Sequence, residues 1–177
     1  SRIIRQKGIF ELTTACKKLY EEKINFRLII PSDPKLVNRS ALSFKEIREL
    51  KEAKWIRFIG HVKDIKTIYD EADIVILPSW REGLAMSLLE ASAMECAIIT
   101  TDVPGCNDIV DHGKSGLLVP LKDSLSILLA LKMFINNPSL KKKFGKAARK
   151  KTKLYFNDEI INSQTEDLYC LLEKKLK

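Results

Sequence analysis

The sequence predicts an α/β domain of three layers, with helices on both faces of a parallel sheet of about six strands and a helical C-terminal part. Three observations carry that expectation. Short apolar runs recur at 26–30, 55–59, 74–77, 97–100 and 116–119. Helical patterns separate them at 9–22, 43–53, 64–71 and 84–94, with a short one near 107–111. After Pro120 the pattern is helical to the end, at 123–136, 139–151 and 157–177. Strands apolar on both faces and joined by helical crossovers form parallel sheets covered on both sides.

The elements follow in order. The opening Ser1-Arg-Ile-Ile-Arg-Gln-Lys-Gly8 has no initiator methionine and reads as the exit of a first strand. Ile9, Leu12, Cys16 and Leu19 then fall at the 3–4 spacing of a buried helical stripe. Asp123 and Ser139 are candidate N-caps, and Pro138 separates the helices on either side of it. Gly113 and Gly116 suit a turn with positive φ. No repeat or low-complexity linker divides the chain, so residues 1–177 read as one domain, with 157–177 as its terminal helix.

Composition narrows the class. A chain of 177 residues with 45% hydrophobic content can bury one core. No apolar run approaches the ~20 residues that span a bilayer, and Arg2, Arg5, Lys7 and Glu11 interrupt any signal-peptide pattern at the start. Cys16, Cys96, Cys106 and Cys170 form no C-x-x-C pair and read as reduced cytosolic thiols. The net charge of +8 has one source. Lys141, Lys142, Lys143, Lys146, Arg149, Lys150, Lys151 and Lys153 occur with no acid among them, and elsewhere 23 bases face 23 acids. That run is a solvated helix face or a contact for an anionic membrane or lipid-linked phosphate. It has few aromatics to stack on bases, so nucleic acid is not expected.

The chemistry concentrates in Ser79-Trp-Arg-Glu-Gly-Leu-Ala-Met-Ser-Leu-Leu-Glu-Ala. Glu82 lies beside Gly83 at an expected strand-to-helix turn, and Glu90 follows two helical turns on. Eight helical steps would separate them by roughly 12 Å, the length of a nucleotide-sugar. Carboxylates accept hydrogen bonds from vicinal hydroxyls, and the free N–H groups of a helix start attract phosphate. Ligands of open parallel sheets bind at the carboxyl ends of the strands. Arg2 to Lys7, Pro31 to Pro34 and Pro78 to Gly83 would converge there, and Arg2 and Lys7 would add two cations. His61, His112, Trp55 and Trp80 read as turn, packing or rim residues.

At these residues the chain resembles the C-terminal, donor-binding half of a retaining family-four (group 1) glycosyltransferase of the GT-B fold, a Rossmann-like domain. The matching pieces stand in family order: Arg2 with Lys7-Gly8, Phe58-Ile-Gly60, Ala72-Asp-Ile-Val-Ile-Leu-Pro-Ser79, Glu82-Gly-Leu with Glu90-Ala, Thr101-Asp-Val-Pro-Gly105, Ile109-Val, and Gly113-Lys-Ser-Gly-Leu-Leu-Val-Pro120. The resemblance implies that Glu90 holds the ribose hydroxyls and Glu82 contacts the transferred sugar. It assigns sugar and phosphate contacts to the backbone of Gly83, Leu84, Ala85 and Met86. Arg2 and Lys7 would neutralise the departing diphosphate, and the loop of Ile59 and Val62 would meet the base.

The resemblance further implies retention of anomeric configuration and no metal or other cofactor. The donor would be a nucleotide-sugar, uridine-based by expectation, and the acceptor a glycan or a lipid-linked glycan. The resemblance also implies an N-terminal domain, expected to be missing from this sequence, that builds most of the acceptor site, and residues 157–177 are expected to pack toward it. The implied location is cytoplasmic, with peripheral contact at the inner membrane face. Alternatives are a nucleotide-sugar epimerase of the same fold and a noncatalytic nucleotide- or membrane-binding module. Two departures from the family pattern stand out. Pro31-Ser-Asp-Pro34 replaces a glycine-rich turn, and Glu95 and Ala97 stand where Gly and Pro usually end the helix. An acid at that helix end is disfavoured by the dipole.

Overall fold

A computed structural model describes residues 4–32 and 43–175. A single 3-10 turn, Arg5–Lys7, leads into α1 (Ile9–Glu21), β1 (Leu28–Ile30), α2 (Phe44–Glu52) and β2 (Ile56–Phe58). Next come α3 (Lys66–Glu71), β3 (Ile74–Leu77), α4 (Met86–Ala93), β4 (Ala97–Thr101) and β5 (Leu117–Val119). The helices α5 (Ser124–Asn136), α6 (Pro138–Tyr155) and α7 (Asp158–Lys175) close the chain.

All pairings among the described strands are parallel. Among the described residues five strands form, where about six were expected, and they fall into two sheets: β1 with β2, and β3-β4-β5 in that order. The strand expected at the opening falls on Ser1–Ile3, outside the described residues. Alternation along the three-stranded sheet sends its side chains into two cores. Ile74, Ile76, Ala97, Ile99, Leu117 and Val119 face α1 and α5. Val75, Leu77, Ile98 and Leu118 face α3, α4 and Ala148 of α6. A period of two with both sets apolar requires helices on both faces, and this is the predicted three-layer arrangement. A third cluster, Ile9, Ile30 and Ile47, closes β1 under α2.

Local chemistry sets the helix ends. Ser43 and Glu46 form a reciprocal capping box at the start of α2, and Asp123 accepts from the amides of Leu125 and Ser126 at the start of α5. The helix α6 starts one residue before the expected Ser139 cap, with Pro138 in its first turn and Asn137 before it. Proline suits that position because its missing N–H has no helical partner there. No helix forms at 107–111. Gly105 at φ 79 reverses the chain, and overlapping turns run from Val103 to Val110. Gly113 has φ 72 as expected, whereas Gly116 does not enter the positive region. Its constraint is space: a Cβ there would lie 2.7 Å from Val110 Cγ1 and 2.8 Å from the Ile98 carbonyl oxygen.

The second residue after α4 explains one departure. Glu95 sits at φ 59, the left-handed conformation that glycine favours. Its carboxylate, unfavourable at a helix C-terminus, meets Arg149 of α6 at 3.5 Å. The backbone of Glu95 also supports α6, because a Cβ on Gly145 would lie 1.9 Å from the Glu95 carbonyl oxygen. Left-handed geometry costs a non-glycine residue ~1–2 kcal/mol. An exposed ion pair returns less than ~1 kcal/mol. Glu95→Gly is therefore expected to stabilise the chain by about 0.5–1 kcal/mol, after the larger chain entropy of glycine is counted. A urea midpoint that fell on this substitution would contradict the assignment.

The last helix stands apart from the cores. In α7, Ile161, Leu168, Tyr169, Leu171 and Leu172 are exposed, and Ile160 is half-buried. Among the described residues, no helix is long and apolar enough to cross a membrane.

Candidate functional site

The carboxyl ends of the parallel strands gather the sequence-predicted residues. Ile59 to Val62 follow β2, Pro78 to Leu84 follow β3, and Asp102 to Gly105 follow β4. The turn before α1 docks against the end of β3. Trp80 donates its backbone N–H to the Gln6 carbonyl at 2.7 Å, and Ser79 Oγ donates to the same oxygen at 3.0 Å. Ser79 is fully buried, and its own carbonyl accepts from Thr101 Oγ1 of β4. Gly8 permits this contact. It sits at φ 68, and an added Cβ would lie 1.9 Å from the Pro78 carbonyl oxygen.

That docking brings together two residues 75 apart in sequence. Lys7 Nζ donates to Glu82 Oε1 at 2.5 Å, with side-chain exposures of 28% and 13%. The proposed phosphate cation and sugar carboxylate thus neutralise each other in a partly shielded spot. Arg2 lies outside the described residues.

The loop carrying Glu82 is held from the other side by the Thr101-Asp-Val-Pro-Gly105 motif. Gly105 has φ 79, and a Cβ there would lie 2.3 Å from the Gly83 carbonyl oxygen. Ala85 donates its N–H to the Gly105 carbonyl at 3.2 Å, and Gly105 donates to Asp108 Oδ2 at 2.9 Å. The helix α4 starts at Met86, two residues later than expected. Glu82 therefore precedes the helix, and the 12 Å spacing that eight helical steps would give does not describe the pair. The Ala85 and Met86 amides donate within the protein, to Gly105 and Leu84. Among the described residues, the amides of Gly83, Leu84 and Ser87, like those of Arg81 and Glu82, have no protein acceptor, so the free backbone donors of this loop include those three positions and not Ala85 or Met86.

Glu90 is exposed near the end of α4, and one of its oxygens is fixed. Tyr69 of α3 donates its hydroxyl to Glu90 Oε2 at 3.0 Å, with the Ser87 carbonyl a second acceptor at 3.2 Å. The Tyr69 ring is buried, and burial first, then the bond to Glu90, pushes its phenol well above the ordinary tyrosine value. It stays a neutral donor, leaving Glu90 Oε1 for a ligand. The helix α3 begins four residues after Val62, at Lys66, and follows the Ile59 to Val62 loop, whose two apolar side chains are half-buried. One short helix thus joins the expected base loop to the expected ribose carboxylate.

Sequence reasoning missed Tyr69, because one tyrosine in an apolar helical pattern carries no positional signal. It also missed Gln6 and Ser79, which act through a carbonyl and a buried hydroxyl. The buried cysteines offer no nucleophile. Burial raises the Cys16 thiol to about 12 and the Cys96 thiol to about 11, and it raises Cys106 as well. Among the described residues, no group of three or more His, Cys, Asp or Glu side chains is placed to hold a metal ion.

Comparison with known proteins places this geometry. The family model for glycosyl transferases group 1 matches residues 1–151. The capsular polysaccharide biosynthesis glycosyltransferase CapM of Staphylococcus aureus is 29% identical over 168 residues, covering 95% of this chain and 44% of CapM. The chain thus spans about half the length of the curated relatives it matches. A solved C-terminal domain of the group 1 glycosyl transferase LpcC from Francisella tularensis is 26% identical, with a TM-score of 0.75, covering 89% of this chain and 83% of that one. Anabaena HepE, solved with UDP-glucose, superposes with a TM-score of 0.83 at 19% identity, over 96% of this chain and 47% of HepE. That last likeness speaks for the fold alone. The chain belongs to the group 1 glycosyl transferases and corresponds to their C-terminal domain.

Proposed function

We propose that this chain binds a nucleotide diphosphate sugar and forms the donor half of a retaining glycosyltransferase of polysaccharide or glycoconjugate biosynthesis. The observation that carries the reading is the Lys7–Glu82 contact at the end of β3, beside unpaired amides at Gly83, Leu84 and Ser87. A cation and N–H donors meet a diphosphate, and carboxylates meet hydroxyls. Glu82 would hold the sugar and Glu90 the ribose, with the Ile59 to Val62 loop beside the base. UDP is the expected nucleotide; HepE, with the same fold, was solved with UDP-glucose. Arg2 would join Lys7 at the diphosphate. In the reaction the acceptor oxygen bonds to the anomeric carbon as the carbon–phosphate oxygen bond breaks. The leaving phosphate takes the acceptor proton on the same face, so no hydrolase-type carboxylate pair is needed. The cytoplasmic face of a membrane that carries lipid-linked glycans is the fitting place.

Binding is expected without metal, since Lys7 and backbone amides supply the phosphate contacts. Calorimetric titration of UDP, GDP and ADP in EDTA tests this. Glu90→Ala should lose about 1.5–3 kcal/mol, the scale of hydrogen bonds to a charged group. Tyr69→Phe should lose less, about 0.5–1.5 kcal/mol, and that loss should vanish with a 2′,3′-dideoxy nucleotide. No binding by folded protein at millimolar nucleotide would defeat the donor-site reading.

Transfer to the acceptor is proposed to need the other half of the enzyme. Aligning two reactants can lower a barrier by ~7–11 kcal/mol in favourable cases, and the acceptor wall is not built by the donor side. The apolar side chains of α7 would pack across the partner half. Acceptor turnover by the 177-residue chain at the rate of a full-length relative would overturn this part.

A further inference from the structure

We propose that the outer face of α6 is a docking surface for an anionic lipid bilayer. The structure divides the eight basic residues of this helix into two sets. Lys141 reaches Asp73 at 2.7 Å, Lys151 reaches Asp111 at 2.8 Å, and Arg149 reaches Glu95 at 3.5 Å. These three bind the helix to its own domain. Lys142, Lys143, Lys146, Lys150 and Lys153 are exposed and have no acidic partner among the described residues.

Helical geometry shows what the second set does. At 100° per residue, the five free lysines fall within an arc of about 100°. Phe144, Gly145 and Ala148, the buried residues of α6, lie on the opposite side. From Lys142 to Lys153 the row is roughly 16 Å long. A random scatter of surface lysines would spread over the whole exposed arc and would include acids. This row has no acid, because residues 139–157 contain none.

The face suits a bilayer better than other anions. Beside the row lies a shallow depression of about 630 Å³, lined by Lys146, Arg149, Lys150, Lys153 and Leu154, with Glu95 at its edge. Leu154 is 53% exposed and Tyr155 63% exposed at the end of the same helix. On the same wheel Leu154 borders the lysine arc, while Tyr155 falls on the side of Phe144 and Ala148. Lysines ending in an exposed leucine match the headgroup and interfacial layers of a membrane. A nucleic acid strand would need a series of aromatic platforms, and Tyr155 is the single exposed aromatic on this helix. The surface is separate from the Lys7–Glu82 pair and does not depend on the donor assignment.

The test is co-sedimentation of the whole chain with vesicles of phosphatidylcholine containing about 30% phosphatidylglycerol, against pure phosphatidylcholine. Binding is expected to the anionic vesicles only, and to be released at about 0.5 M salt. Changing Lys142, Lys146, Lys150 and Lys153 together to Glu should weaken binding by more than about a hundredfold. The control changes Lys17, Lys18, Lys45 and Lys51 to Glu, the same charge change on exposed positions of α1 and α2. It should retain most of the binding, with circular dichroism and the urea midpoint confirming that both variants fold. Equal losses in the two variants would reduce the effect to net charge and overturn the proposal. Absence of binding by the unchanged chain would overturn it too, as would tighter binding to single-stranded DNA than to the anionic vesicles.

Discussion

Gly8→Ala is expected to destabilise the chain by about 3–5 kcal/mol, at the exceptional end for a single substitution. Two effects combine. Gly8 sits at φ 68, where an alanine costs ~1–2 kcal/mol. Its new Cβ would lie 1.9 Å from the Pro78 carbonyl oxygen and 2.7 Å from the Pro78 carbonyl carbon. Both are backbone atoms, so neither can rotate away. The turn before α1 must separate from the end of β3, which breaks the Trp80 and Ser79 bonds to Gln6 and withdraws Lys7 from Glu82. Gly60→Ala is the matched control. Gly60 has nearly the same φ, 69, but an added Cβ there meets nothing within 4 Å. It should cost only the conformational ~1–2 kcal/mol. Urea denaturation of both variants decides the matter: equal losses would mean that the close approach at Pro78 contributes nothing.

The same region shows how far the sequence could be read. The strand Ile74–Leu77 was legible to the residue, since an apolar run between Asp73 and Pro78 has clear ends. The α1 stripe was legible because Leu12, Cys16 and Leu19 repeat at helical spacing and are all buried. The start of α4 was not. Leu84, Ala85 and Met86 are all acceptable helix formers, and what holds the first two outside the helix is tertiary: the Ala85 amide is taken by Gly105, twenty residues on. The same holds at 107–111, where local propensity suggests a helix and Gly105 instead reverses the chain. Glu95 occupies a glycine's conformation without being glycine, so sequence flagged the conflict but could not show its offset by Arg149.

The candidate site divides in the same way. Glu82, Glu90 and Lys7 were picked out by residue type and spacing. That Lys7 and Glu82 touch, and that Tyr69 fixes one oxygen of Glu90, depends on elements brought together from distant parts of the chain. Charge chemistry can be read from sequence. The pairing of charges cannot, because it is set by the packing of the turn before α1 on β3.

That pairing yields the second large expected effect. Glu82 neutralises Lys7, so a diphosphate that bound Lys7 as proposed would compete with a carboxylate for the same ammonium. Glu82→Gln keeps the side-chain size and removes the competing charge. Free UDP is then expected to bind more tightly, by about 5–30-fold, corresponding to ~1–2 kcal/mol for a partly shielded charge pair. UDP-glucose and UDP-N-acetylglucosamine should gain less than UDP, because the proposed contact to the sugar keeps one acceptor oxygen but loses its charge. In a two-domain enzyme carrying the same substitution, transfer should fall by about 100- to 1,000-fold, the scale of losing one preorganised contact at the reacting sugar. Lys7→Ala should do the opposite to nucleotide binding: it should weaken UDP while leaving uridine nearly unchanged. Tighter UDP with slower transfer in Glu82→Gln, beside weaker UDP in Lys7→Ala, is the signature of a carboxylate that holds the sugar and restrains the phosphate cation. A Glu82→Gln variant that bound UDP less tightly would show that Glu82 positions Lys7 for the diphosphate and does not compete with it.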